Sequence, residues 1–327
     1  MKRREFIAAL GGAAAFAFAA RADSPERVRR VGMLIYGAED DPVTVIRMDG
    51  LRQGLRKLDW VEGRNLQLDF RFGAADPGRL RTYAKELVSL APDVIVTGAA
   101  PATRAVLAET QTIPVVFVEM TNAVGYGISG KLARPEANST GITNLYLAIG
   151  ARWVELLKEA APHLTRVALL FNPEFDARAY LAAIETAAGA YHLKTTRVAV
   201  RNDHEITHAV AAFAAEPNGG VVVVPPTPVF TELQLIFKLA NQYRLPAVYP
   251  LRGFAVQGGL MAYGADISEL FQQAAPYVDR ILHGAKPSEL PVGFPTKFEL
   301  VVNLKAARAI GLEFPPTLLA RAAEVIK

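Results

Sequence analysis

The residues with the sharpest chemical potential are His204-Glu205-Ile206-Thr207-His208, a match to H-E-x-x-H. On a helix, positions i and i+4 share a face, so two imidazoles could hold zinc with the glutamate as base. The surroundings argue otherwise. Asn202-Asp203 reads as a helix N-cap, which places the motif in the first turn of a crossover helix. Ile206, Val210 and Phe213 form the sheet-facing stripe and turn His204 and His208 to solvent. The third histidine of the extended motif is missing, and Glu232 lies beyond another strand. Gly125-Tyr126-Gly127-Ile128-Ser129-Gly130 matches G-x-G-x-x-G, but that fingerprint needs a long helix after the turn. Pro135 stops any helix there, and no acidic residue stands about 20 positions on, so a Gly-rich strand-end loop is expected. There is no P-loop lysine, no G-x-S-x-G, and no triad-like spacing among the five histidines. No catalytic residue, metal or cofactor is assigned, and no enzyme is expected.

What remains is a set of loops rich in small and polar residues at strand ends. Thr97-Gly98-Ala99-Ala100-Pro101-Ala102-Thr103 follows an apolar run and opens a helix, with Pro101 suited to the first turn. Backbone N–H groups at such a helix start attract a carboxylate, although an ordinary capped turn has the same sequence. Asn172-Pro173, Pro225-Pro226-Thr227-Pro228 and Tyr263-Gly264-Ala265-Asp266 end three further strands.

The elements that must position these loops alternate regularly. Strands are expected at 31–35, 66–72, 94–97, 114–118, 139–144, 166–171, 194–200, 220–224, 247–249 and 259–262. Val94-Ile95-Val96 and Val221–Val224 are continuously apolar, as strands buried on both faces are. Amphipathic stretches at 43–58, 80–90, 153–161, 177–190 and 233–243 lie between them. Strand, helix, strand at this spacing means right-handed βαβ units. Ten strands divide better into two sheets of about five, with a break near Ala137–Tyr146. The expected architecture is α/β: two doubly wound, Rossmann-like lobes whose strand ends face each other across a ligand cleft.

Composition agrees. The 327 residues are 51% hydrophobic and 21% charged, which excludes a disordered chain and suits about two domains. Residues 1–22 read as a twin-arginine-like signal peptide: Lys2-Arg3-Arg4, an apolar run from Phe6 to Ala20, then Ala20-Arg21-Ala22. That segment carries +3 of the +4 net charge, leaving +1 for the rest, so the basic pI is weak grounds for nucleic acid. Arg27, Arg29 and Arg30 read as a solvated lead-in. With zero Cys, neither disulfides nor a lipid-modified cysteine is available, so a soluble, unanchored periplasmic protein is expected.

Six segments in order also resemble a known family. They are Lys2–Ile7 with Gly11-Gly12, Ile113–Phe117, Leu132–Pro135 with Asn138–Gly141, Leu245–Pro250, Gly258–Asp266 and Pro295–Lys305. Together they are similar to the ABC-transporter substrate-binding proteins that include tryptophan- and tyrosine-binding members. The resemblance implies a type I periplasmic-binding fold with a hinged interlobe cleft and crossovers near Thr143, Ala262 and Leu300. One lobe would span 28–143 plus 263–298, the other 144–262 plus 299–327.

The family's cleft positions carry over as Tyr36 and Gly37, Gly98, Ala99, Ala100 and Thr103, Glu119, Asn144, Asn172, Thr227, Tyr249, Tyr263 and Asp266. Relatives have a small polar pair where Tyr36-Gly37 stands. Tyr36 suits either an aromatic ligand or the core. Asn122-Ala123 replaces the family's usual Asp-Pro, so Glu119 either compensates or is a lid-side surface residue. Asp266 either accepts an ammonium or caps the following helix.

The implied function is an exported solute-binding component of an ABC importer. It would capture an amino acid or aromatic carboxylate and dock, as a monomer, on a membrane permease. A sensor docking on a membrane receptor is the alternative, and a zinc hydrolase using residues 204–208 the remoter one.

Overall fold

The structure is a computed structural model that describes residues 27–120, 138–143, 148–173, 177–225 and 233–327. The expected signal segment, the Gly125–Gly130 loop, Asn144 and Thr227 lie outside the described residues. The elements are β1 (Arg29–Ile35), α1 (Pro42–Arg56), β2 (Leu66–Phe72), α2 (Pro77–Ser89), β3 (Val94–Gly98), α3 (Ala100–Glu109), β4 (Val115–Met120) and β5 (Ser139–Thr143). Then come α4 (Ala148–Ala160), β6 (Arg166–Phe171), α5 (Arg178–Ala190), β7 (Lys194–Ala199), α6 (Asp203–Ala214), β8 (Gly219–Val223), α7 (Leu233–Gln242), β9 (Ala247–Tyr249), α8 (Arg252–Val256) and β10 (Met261–Ala265). The chain closes with α9 (Ile267–Leu282), β11 (Phe298–Asn303), α10 (Leu304–Ile310), α11 (Pro316–Arg321) and β12 (Glu324–Ile326).

Two sheets result. The first has the order β2-β1-β3-β4-β5 and is parallel throughout. The second has the order β12-β11-β10-β9-β8-β6-β7, with β10 and β11 antiparallel. It has seven strands, not five, because β11 and β12 add at one edge. Phe298–Asn303 starts half-buried and Glu324–Ile326 is only three residues, so neither shows a clear strand period. The tenth strand sits two residues later than expected and lies wholly in the second sheet, Tyr263 included.

Each sheet is covered on both faces. In the first, α1 and α9 pack one face around Leu51, Leu55 and Phe271, while α2 and α3 cover the other around Leu80, Leu87 and Val106. Gly50 and Gly54, one helical turn apart on α1, let α9 approach closely. A Cβ on Gly50 would lie 2.6 Å from the Ser268 carbonyl oxygen, and one on Gly54 2.8 Å from the Ala275 Cβ. The second sheet has α4, α5 and α10 on one face and α6, α7 and α8 on the other. Trp153 of α4 is 1% exposed and donates from Nε1 to the Tyr263 carbonyl at 2.7 Å, tying its helix to β10.

The basic lead-in is paired, not merely solvated. Arg27 and Arg29 both reach Asp93, and Arg30 reaches Asp69.

Candidate functional site

The first sheet presents its parallel strand tips at one edge. At the tip of β1, Tyr36 is half-buried and packs toward α2 and α3, the core alternative raised for it. The β1–β2 ladder runs on past both strands: Ala74 donates to the Gly37 carbonyl and Ala75 to that of Tyr36. Both alanines take left-handed backbone, with φ of 48° and 59°. Such conformations cost about 1–3 kcal/mol each and cluster where ligands are held.

At the tip of β3, Gly98 is buried and Ala99 takes φ 75°, ψ 156°, a region normally left to glycine. Ala99 is the N-cap of α3, and no side chain caps that helix. Its own N–H is spent on the Val118 carbonyl at 3.0 Å, and its carbonyl accepts from the Thr103 N–H. Thr103 departs from expectation: it is 0% exposed and its hydroxyl bonds Thr97 Oγ1 and the Ala99 carbonyl. It braces the turn instead of offering a hydroxyl. Pro101 has no N–H, so the donors of this first turn are Ala100 and Ala102.

At the tip of β4, Glu119 is 8% exposed with φ 59°, at a shift in the β4–β5 register. It is not a surface residue of a lid. Arg47, reaching over from α1, grips both its oxygens: Nε to Oε2 at 2.7 Å and Nη2 to Oε1 at 3.2 Å. Burial works against the Arg47 charge, but Glu119 beside it and Asp41 nearby more than restore it, so its pKa is raised.

The second sheet's candidates divide. Asn172, at the end of β6, is 5% exposed and has an interaction partner. Tyr263 is half-buried, stacked on Phe298 at 5.9 Å, with the Arg152 guanidinium 5.7 Å from its ring centroid. Arg152 is itself paired with Glu155. Tyr249 is a correction: it is 1% exposed, wedged edge-on between Phe237 and Phe254 in the core, where burial pushes its phenol pKa well up. Asp266 serves as the cap of α9: Oδ1 accepts from the Glu269 N–H at 3.1 Å and Oδ2 meets Lys297 Nζ at 2.8 Å. Burial pushes its pKa up, but the Lys297 and backbone bonds outweigh that and leave it lowered.

The H-E-x-x-H motif is the start of α6. Asn202 accepts from the Glu205 N–H, Glu205 accepts from the Arg201 N–H, and His204 and His208 are exposed. Ile206, Val210 and Phe213 are its buried stripe.

The arrangement is two doubly wound sheets, one offering an uncapped helix start among strained strand tips. The family model described as ABC transporter substrate binding protein matches residues 38–326. The chain belongs to that family. Substrate-binding proteins of this kind capture a small molecule and interact with ABC permeases, and the family is characteristically periplasmic or extracellular. Among the described residues no helix is long and apolar enough to cross a membrane.

A "Tyrosine-binding protein" of Clostridioides difficile is 22% identical over 266 residues, covering 81% of this chain and 76% of that protein. Among solved structures, a conserved domain protein from Vibrio cholerae is 27% identical with a TM-score of 0.80, covering 91% of this chain and 100% of that one. An ABC domain in complex with L-Trp from Streptococcus pneumoniae has the same TM-score at 22% identity, covering 91% and 99%. The fold is thus the type I periplasmic-binding fold with two lobes.

The site residues missed from sequence are Arg47, Ala74, Ala75 and Arg152. The alanines carry no signal at all. The arginines sit in helical stretches where a cation reads as a solvated face, and the partner of Arg47 is 72 residues away.

Proposed function

We propose that this chain is the exported solute-binding component of an ABC importer, capturing an amino acid or aromatic carboxylate between its two lobes. The observation that carries this is the start of α3. Ala99 is held in a glycine-like conformation there, and the helix has no side-chain cap. An acid group supplies what the Ala100 and Ala102 N–H groups lack, and the helix dipole favours it. The relatives' names supply the ligand class: one is called tyrosine-binding and another was solved with L-Trp. Residues 1–22 act as the signal peptide, the mature chain works as an unanchored periplasmic monomer, and closing of the two lobes reports occupancy to the permease.

The test is a thermal-shift panel on residues 23–327, unfolded and refolded to strip bound ligand. It holds amino acids, aromatic acids, branched-chain acids and zinc. A ligand at 100 times its dissociation constant adds about 2.7 kcal/mol, a rise of several degrees. Shifts with one organic class are expected. A shift with zinc alone, or none, overturns the assignment.

A further inference from the structure

The tip of β1, where the family resemblance marks Tyr36 and Gly37, carries a polar cluster that the resemblance did not name. Gly37 has no side chain, and three polar atoms of α1 and its cap crowd the face that a Cβ would occupy. A Cβ on Gly37 would run into Thr44 Oγ1, with Asp41 Oδ2 at 3.1 Å and Arg47 Nη1 at 3.8 Å. Thr44 is 0% exposed and its hydroxyl has no hydrogen-bond partner. A buried hydroxyl left unpaired costs free energy and marks a place where a polar group is missing. Asp41 spends only Oδ1 on its helix, accepting from the Val43 N–H at 2.9 Å.

Position matters as much as chemistry. Ile35 of β1 is in register with Gly98 of β3, so the loop that carries Asp41 and the turn that opens α3 leave neighbouring strands at the same level. Two other strand-end carboxylates are committed, Glu119 to Arg47 and Asp266 to Lys297 and its own helix. Arg47 also lies near enough to Asp41 for their charges to interact.

We propose that Asp41 Oδ2 receives the ligand's protonated amine, while the start of α3 takes its carboxylate. The inference rests on the capture reading above and makes Asp41 the residue that distinguishes an amino acid from its des-amino analogue. Arg47 and Glu119 position the site by locking α1 against the tip of β4.

The decisive variant is Asp41→Asn, since asparagine caps a helix as well as aspartate and removes only the charge. The probes are L-tyrosine and L-tryptophan against 3-(4-hydroxyphenyl)propionate and indole-3-propionate, measured by calorimetry. The wild type is expected to prefer the amine-bearing partner by roughly 10- to 100-fold, the value of a charge-assisted bond, and Asp41→Asn to lose that preference with an unchanged Tm. Asp41→Ser, a second capping side chain, should reproduce the loss. If the amine preference survives in both variants, or the wild type shows none, the role of Asp41 is overturned and the capture reading stands. If the wild type binds none of the four probes, the tyrosine and tryptophan form of the capture reading fails first.

Discussion

Replacing Arg47 by methionine leaves the Glu119 carboxylate buried without its partner. The pair's side chains are 14% and 7% exposed, so solvent screening relieves little of that penalty. Breaking one member of such a pair costs about 3–5 kcal/mol, whereas removing both charges is often close to neutral. Arg47→Met should therefore lower the Tm by roughly 6–20 °C, at about 2–4 °C per kcal/mol, and adding Glu119→Gln should recover most of it. The chain has two tryptophans, Trp60 packed against the first sheet and Trp153 against the second, so fluorescence in a Trp153→Phe background follows the first sheet alone.

A loss below about 1 kcal/mol, or a double variant no more stable than the single one, would refute the claim that this pair is desolvated.

Three further outcomes are expected. Ala99→Gly should raise the Tm by about 2–4 °C, since relief of a disfavoured φ outweighs the added freedom of the unfolded chain by about 1 kcal/mol; a fall in Tm would mean Ala99 is unstrained. Gly54→Ala, normally worth about 1 kcal/mol of helix stability, should instead cost about 1–3 kcal/mol, because its Cβ meets α9 at 2.8 Å; denaturant titration decides. Burial first, then the charges of Asp266 and Glu324, hold the half-buried Glu299 carboxyl above its usual pKa. Its ionised form is therefore disfavoured at neutral pH, so Glu299→Gln should raise the Tm at pH 7 and make no difference near pH 4.

Much of the scaffold was legible because single elements announce themselves. Val94-Ile95-Val96 can hardly be anything but a doubly buried strand, and all five residues of β3 are buried. Asn202 and the Ile206, Val210, Phe213 stripe gave the orientation of α6 before any coordinates. The site was less legible, because its character comes from contacts between distant segments. Nothing local says that Glu119 is gripped from α1, or that three polar atoms of α1 and its cap crowd Gly37. Tyr249 shows the same gap in reverse. An aromatic ring at a strand end suits a cleft, and only the positions of Phe237 and Phe254 reveal that this one fills the core.

The place of α9 in the chain has a consequence for a protein still being made. Leu270, Phe271, Ala274, Ala275 and Val278 fill the core of the first sheet, yet they follow the whole run from β6 to β10. A ribosome at about 5–20 residues per second needs roughly seven to thirty seconds to pass from the end of β5 to the end of α9. During that interval the five strands of the first sheet have been synthesised but lack half of one covering layer. The second sheet can begin to assemble while the first waits. The first sheet therefore stays unfinished until most of the polypeptide has emerged, and a chaperone has that long to engage its uncovered strands.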